Sequence, residues 1–205
     1  MTTPTSQHRI RRAHVARSTA ETTIDLDLDL DGTGTANIST GVLFFDHMLN
    51  ALSRHSRIDI NVKCRGDAAM DPHHSVEDVG IALGQAIRQA LGDRAGIARF
   101  GYAYAPLDEA LARCVVDCSG RPYLEFIAPM PEPLIGSDFA SSLVEEFWRA
   151  LVVNAYLTVH IDLIRSRNAH HAAEAIFKSS AVALRAAFQQ TSETGFIPST
   201  KGLLA

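Results

Sequence analysis

His73-His74-Ser75-Val76-Glu77 recurs ninety-seven positions later as His170-His171-Ala172-Ala173-Glu174. Four of the nine histidines of this chain stand in these two pentads. Each copy places two imidazoles one helical turn before a carboxylate, a donor set that suits metal ions. A duplicated ligand set implies a duplicated scaffold, so the chain reads as two similar half-domains that each contribute to a site. Neighbours on an α-helix diverge by about 100°, so adjacent histidines cannot easily grip one ion, whereas residues three or four apart can. His73 or His74 can share an ion with Glu77 while the other histidine reaches a second, and His170, His171 and Glu174 repeat the choice. Four imidazoles and two carboxylates suggest two ions. A single such pentad could be a solvated helix start; two in equivalent contexts argue against it.

Working outward, Asp71-Pro72 gives a helix start before the first pentad, with Asp71 able to cap and Pro72 suited to the first turn. That helix runs through Val76, Val79, Leu83 and Ile87 to Gly92. Asn168 precedes a second long helix carrying the second pentad. Thr22 to Asp31 alternates strictly, with Ile24, Leu26, Leu28 and Leu30 opposite four aspartates, and reads as a half-buried strand ended by Gly32-Thr33-Gly34. Residues 58–64, 100–106, 111–117 and 157–164 read as further strands, with a short one ending at Ile127. The segment around Arg9 to Arg17 alternates only roughly but is read as a strand. Helices are expected at 44–54, carrying Asp46 and His47, and at 139–156, carrying Glu145 and Glu146.

Each half then follows the order strand, strand, helix, strand, ligand-bearing helix. The predicted fold is α+β: two similar halves from internal duplication, residues 1–95 and 96–205, in one compact unit. Each half is a small mixed sheet with two helices on one face, and the helices of both halves are sandwiched between the sheets. Equivalence of the halves pairs His47 with Glu146, so each half can add one ligand from its first helix. His55 is a weaker candidate, and His160, alone on a strand, reads as packed or hydrogen-bonded.

Composition narrows the function. A net charge of −4 gives no basic field for nucleic acid, and no apolar run approaches the ~20 residues of a membrane span. The polar, basic first eighteen residues lack a secretory core. Three cysteines without CxxC spacing read as buried thiols in a reducing, cytoplasmic setting.

The longer motifs converge. Gly41-Val42-Leu43-Phe44-Phe45-Asp46-His47-Met48-Leu49, Asp71 to Asp78, Leu107-Asp108-Glu109-Ala110-Leu111, Asp117 to Pro122, Asn168 to Glu174, Phe177-Lys178 and Ser199-Thr200-Lys201-Gly202 resemble imidazoleglycerol-phosphate dehydratase from about residue 9 onward. The resemblance implies a manganese-dependent lyase of histidine biosynthesis, with two Mn²⁺ per active site. It would convert imidazole glycerol phosphate to imidazole acetol phosphate through an imidazolate-like intermediate. It also implies trimers assembled into a 24-subunit shell with active sites between subunits, and no fused phosphatase domain. Carried over by position, the metal ligands are His47, His73, His74, Glu77, His170, His171 and Glu174. Glu146 stands where many relatives have histidine and can still ligate Mn²⁺. Glu21 matches the proton-transfer carboxylate, with His47 and Glu174 also catalytic. Arg99, Arg121, Lys178, Ser199 and Lys201 match the phosphate-binding group, the last two on a C-terminal tail. Leu43 replaces a usual glycine beside the His47 segment.

The chemistry fits these residue types. The reaction breaks a C–H bond that no carbonyl activates, and cations on the ring nitrogens let an imidazole relay the electrons. A carboxylate such as Glu21 can move protons at hydrogen-bond range, and guanidinium forks match phosphate oxygens. Donor chemistry alone permits Mn, Fe, Ni, Co or Zn. Two rival readings are a ferritin-like metal store, which the strands oppose, and a di-metal phosphate-ester hydrolase.

Overall fold

In the computed structural model the described residues are 10–66, 71–191, 195–200, 202 and 204. The first half comprises strands β1 (Arg12–Ser18), β2 (Thr22–Asp29) and β3 (Ala36–Ser39), helix α1 (Leu43–Ser56), strand β4 (Asp59–Gly66) and helix α2 (His73–Leu91). The second comprises β5 (Phe100–Leu107), β6 (Ala110–Asp117), β7 (Tyr123–Ile127), the hairpin β8 (Leu134–Ile135) and β9 (Phe139–Ala140), α3 (Leu143–Ala155), β10 (Thr158–Arg165) and α4 (Ala169–Phe188). The first sheet is ordered β1-β2-β4-β3 and the second β5-β6-β10-β7. In both, the last strand named runs parallel to its neighbour and the rest are antiparallel. The predicted pair of mixed sheets is present, and the two share one topology.

Alternation drives the layers. Ile24, Leu26 and Leu28 are buried while Asp25 and Asp27 face water. Fully burying one such leucine contributes roughly 1.5–3 kcal/mol. Helix α2 packs on β1 and β2, and α4 packs on β5 and β6. The closest helix pairs cross between halves, α1 against α4 and α2 against α3. Two glycines allow the second approach. A Cβ on Gly84 would lie 2.4 Å from the carbonyl oxygen of Leu151, and one on Gly80 would lie 2.9 Å from that of Phe147. Gly80 thus sits level with Phe147 and Gly84 with Leu151, so α2 and α3 run parallel.

Three readings need correction. Strand β3 was not foreseen; Ala36-Asn37-Ile38-Ser39 is short, half exposed, and defined by pairing to β4 rather than by its own pattern. The helix expected from 139 starts at Leu143, because Phe139 and Ala140 pair back onto Ile135 and Leu134. The outer face of the second sheet faces solvent as expected but is not polar: Tyr102, Tyr104, Val115, Tyr123 and Ile127 are exposed on it. The corresponding face of the first sheet carries pairs such as Arg12–Asp29 and His14–Asp27. All three cysteines are buried and free, and burial pushes the thiols of Cys114 and Cys118 up to about 12. Among the described residues no helix is long and apolar enough to cross a membrane.

Candidate metal centre

The second pentad opens α4, and local chemistry fixes it there. The Asn168 side chain accepts the amide of His171 at 3.0 Å, capping the helix. The first pentad is anchored similarly: the Asp71 carboxylate accepts the amide of His73 at 2.9 Å. Helix α1 has no side-chain cap at Val42. Instead Asp46 reaches back to the amide and hydroxyl of Thr40, at 2.9 and 2.5 Å, steadying the turn that presents His47.

The α1–α4 pairing brings His47, His170 and Glu174 together. Their ligating atoms all lie within 4.8 Å of one another, the one such group of three or more among the described residues. Both imidazole Nε2 atoms stand 3.3 Å from Glu174 Oε2. The other carboxylate oxygen of Glu174 takes the Lys178 ammonium at 2.6 Å. Burial would raise the Glu174 pKa, but the bonds from Lys178 and His47 outweigh it and the carboxyl titrates below its usual range. Phe44 packs its ring against that of His170, with centroids 5.2 Å apart. Two imidazoles and an ionised carboxylate converging at an exposed position form a possible metal site.

The ring of His171 stands perpendicular to that of His170. It turns instead to Glu109, with Nδ1 2.8 Å from Oε2. This bond holds the Glu109 carboxyl down at about 2 and raises the His171 pKa. Glu109 was not assigned a role from sequence. Its quoted motif offered a signal, but Glu109 stands in the turn between β5 and β6 and its partner lies 62 residues on, in the first turn of α4.

The first pentad is more open. His73 Nε2 stands 3.9 Å from Glu77 Oε2, and the ring of His74 is perpendicular to that of His73. His74 points toward Glu21, with Nε2 3.6 Å from Oε1. Glu146 is half buried in the first turn of α3, and the converging trio does not include it. His47 therefore joins the second pentad, and Glu21 joins the first.

The proposed anion group is split. Lys178 lies beside Glu174 in a groove of about 560 Å³ also lined by His47, Arg54 and His55. Burial, then the charge of Lys178, lowers the His55 pKa. Arg99 is already engaged: Nε and Nη2 fork onto Asp117 at 2.7 and 3.1 Å, and Nη1 donates to the carbonyl of Pro198, next to Ser199. Arg121 is exposed after the second hairpin. Lys201 lies outside the described residues. His160 is exposed beside Tyr123, on the outer sheet face. Leu43, one turn before His47, is 85% exposed.

Known proteins match this arrangement along its length. The family model for imidazoleglycerol-phosphate dehydratase matches residues 40–184. The dehydratase of Albidiferax ferrireducens is 50% identical over 205 residues, covering 100% of both chains. That of Polaromonas sp. is 51% identical, covering 95% of this chain and 94% of its own. The crystal structure of the Staphylococcus aureus enzyme superposes with a TM-score of 0.80 at 42% identity, covering 88% of this chain and 99% of that one. The Pyrococcus furiosus enzyme, solved with a bound ligand, gives 0.79 at 35% identity, covering 93% and 100%. The chain belongs to the imidazoleglycerol-phosphate dehydratase family.

Proposed function

We propose that this chain dehydrates imidazole glycerol phosphate to imidazole acetol phosphate in histidine biosynthesis, as a cytoplasmic enzyme. The observation that carries the reading is the convergence of His47, His170 and Glu174 at the mouth of a groove lined by Lys178. The donor set of imidazole and carboxylate without thiolate suits Mn²⁺. His47, His170 and Glu174 would hold one ion, with His73, His74, Glu77, His171 and Glu146 completing two sites per substrate. Bound there, the cations supply positive charge to the substrate's imidazole ring as it takes up electron density.

The protein's own groups do the rest. Glu21 is an exposed carboxylate beside His74 and is the proton carrier in this reading, taking the proton from one carbon and delivering it to the hydroxyl that leaves the neighbouring carbon as water. The resulting enol becomes the ketone by a proton shift. Arg99, Arg121, Lys178, Ser199 and Lys201 bind phosphate in this reading, and Arg99 also holds the tail at Pro198. The two pentads sit on different helix pairs, which fits a site completed between subunits of a trimer-based 24-mer, each chain contributing both ends of its duplicated halves (1–95 and 96–205).

The test is a metal-stripped sample given Mn²⁺ and imidazole glycerol phosphate. Metal-dependent ketone with phosphate still attached supports the reading. Release of inorganic phosphate would instead identify a hydrolase, and tight metal binding without product a store.

A further inference from the structure

The two helix pairs end, away from the pentads, in matching crevices. One, of about 330 Å³, lies at the C-terminal ends of α1 and α4 and includes Arg11, Asp31 and Phe188. The other, of about 700 Å³, lies at the C-terminal ends of α2 and α3 and includes Gln85, Arg88, Gln89, Arg94 and Tyr156. Each holds one arginine almost out of solvent: Arg11 is 6% exposed and Arg94 5%. Each arginine also caps a helix. Arg11 Nη1 donates to the carbonyl of Phe188 at 2.6 Å, and Arg94 Nη2 to those of Ala155 and Tyr156 at 3.3 and 3.5 Å. A helix C-terminus offers roughly half a negative charge, so each guanidinium is only partly compensated.

The correspondence stops at the counter-ion. Arg11 grips the Asp31 carboxylate through Nε and Nη2, at 3.0 and 2.5 Å. Among the described residues Arg94 has one further acceptor, the carbonyl of Leu204 at 3.3 Å, and its buried Nε has no hydrogen-bond partner. No carboxylate is among the described residues lining its crevice; what stands there is a second cation, Arg88, laid over the Tyr156 ring at 3.8 Å. Burial first, opposed by Cys118 and then reinforced by Arg88, lowers the Arg94 pKa. A buried charge without a counter-charge is expensive, and an external anion removes that cost.

We propose that the crevice at the C-terminal ends of α2 and α3 binds a small oxyanion, a carboxylate or a phosphate, held by Arg88 and Arg94 with the side-chain amides of Gln85 and Gln89. Helix α2 is 19 residues long, so this site lies about 27 Å along the helix from His73. It does not depend on the catalytic reading.

The test is thermal unfolding of the Mn²⁺-loaded protein, titrated separately with inorganic phosphate and with malonate against chloride at constant ionic strength. The expected result is a saturable rise in Tm of a few degrees, the larger response identifying the preferred anion. Arg88→Ala should abolish it. Gln85→Glu, which places a carboxylate in the crevice, should be at least as stable as the parent without anion and should not respond. Lys178→Ala, which weakens any anion binding in the groove beside Glu174, should still respond. An absent response in the parent, or one that survives in both Arg88→Ala and Gln85→Glu, would overturn the proposal. So would a response lost only in Lys178→Ala, which would place the anion in the groove beside Glu174.

Discussion

The two pentads share a sequence pattern, a helix-start position and an upstream polar cap, yet they present different chemistry. At α4, His170 and Glu174 meet His47 from the other half and form a trio within 4.8 Å. At α2, His73 and Glu77 stand 3.9 Å apart and His74 turns to Glu21. The partner helix makes the difference. Helix α1 brings an imidazole to α4, whereas Glu146 of α3 joins no such trio among the described residues. One end of the chain brings three donors together, a possible metal site, and the other presents donors that stand further apart.

The sharpest way to break this comparison is Glu21→Gln. It leaves the trio intact and should lower turnover by roughly 10²–10⁴-fold while bound metal, measured by elemental analysis, stays unchanged. Full activity would remove Glu21 from the chemistry. Next, His170→Ala should loosen metal by on the order of 100-fold or more, as read by titration with Mn²⁺. Glu146→Gln should do so by much less. Equal losses would mean that the two ends are equivalent ligand sets.

A subtler contrast concerns Glu109, which has no counterpart assigned in the first half. Its folded pKa is depressed, so its contribution to stability is present above the unfolded value and lost as pH falls toward 2. That of His171 is raised, so its contribution is full below the unfolded value and lost as pH rises through the folded one. The pair therefore stabilises the metal-free protein most between about 4.5 and 6.5. Glu109→Gln should move the His171 midpoint down in an NMR titration of the metal-free protein; an unmoved midpoint would deny the contact.

The smallest expected effect lies in the first half's scaffold. Asp59 Oδ1 accepts the amides of Thr33, Gly34 and Thr35 at 2.8, 2.9 and 2.8 Å. Burial opposes these bonds but they prevail, and the Asp59 pKa is lowered. Its stabilisation is present above the unfolded carboxylate pKa and is lost as pH falls through the folded one. Asp59→Ala should cost about 1–2 kcal/mol in urea unfolding at neutral pH, with the difference vanishing in acid.

Much of this was legible in sequence because the signals were local. Strict alternation in 22–30 and the capped starts at Asp71 and Asn168 specify their elements through neighbouring residues. Strand β3 was not legible, since a partner distant in sequence defines it, and the β8–β9 hairpin was not, since strands of two residues are too short to show alternation. The pentads announced ligands, and adjacent histidines do turn to different carboxylates, His170 to Glu174 and His171 to Glu109. What could not be read was the long-range pairing: that His47 belongs with Glu174 in the other half, 127 residues away, and His171 with Glu109, 62 residues away. Nor does the spacing of Arg99 reveal that Asp117 and the tail already occupy its donors.

The central claim is that an active site joins the α4 end of one chain to the α2 end of another. The direct measurement is activity after dissociating and reassembling equal amounts of His73→Ala and His170→Ala, each inactive alone, with mixed oligomers verified by mass. Random pairing of ends predicts recovery to about one quarter of the parent activity. Mixed oligomers with no activity would mean that both pentads serve one site within a single chain, and would contradict the account.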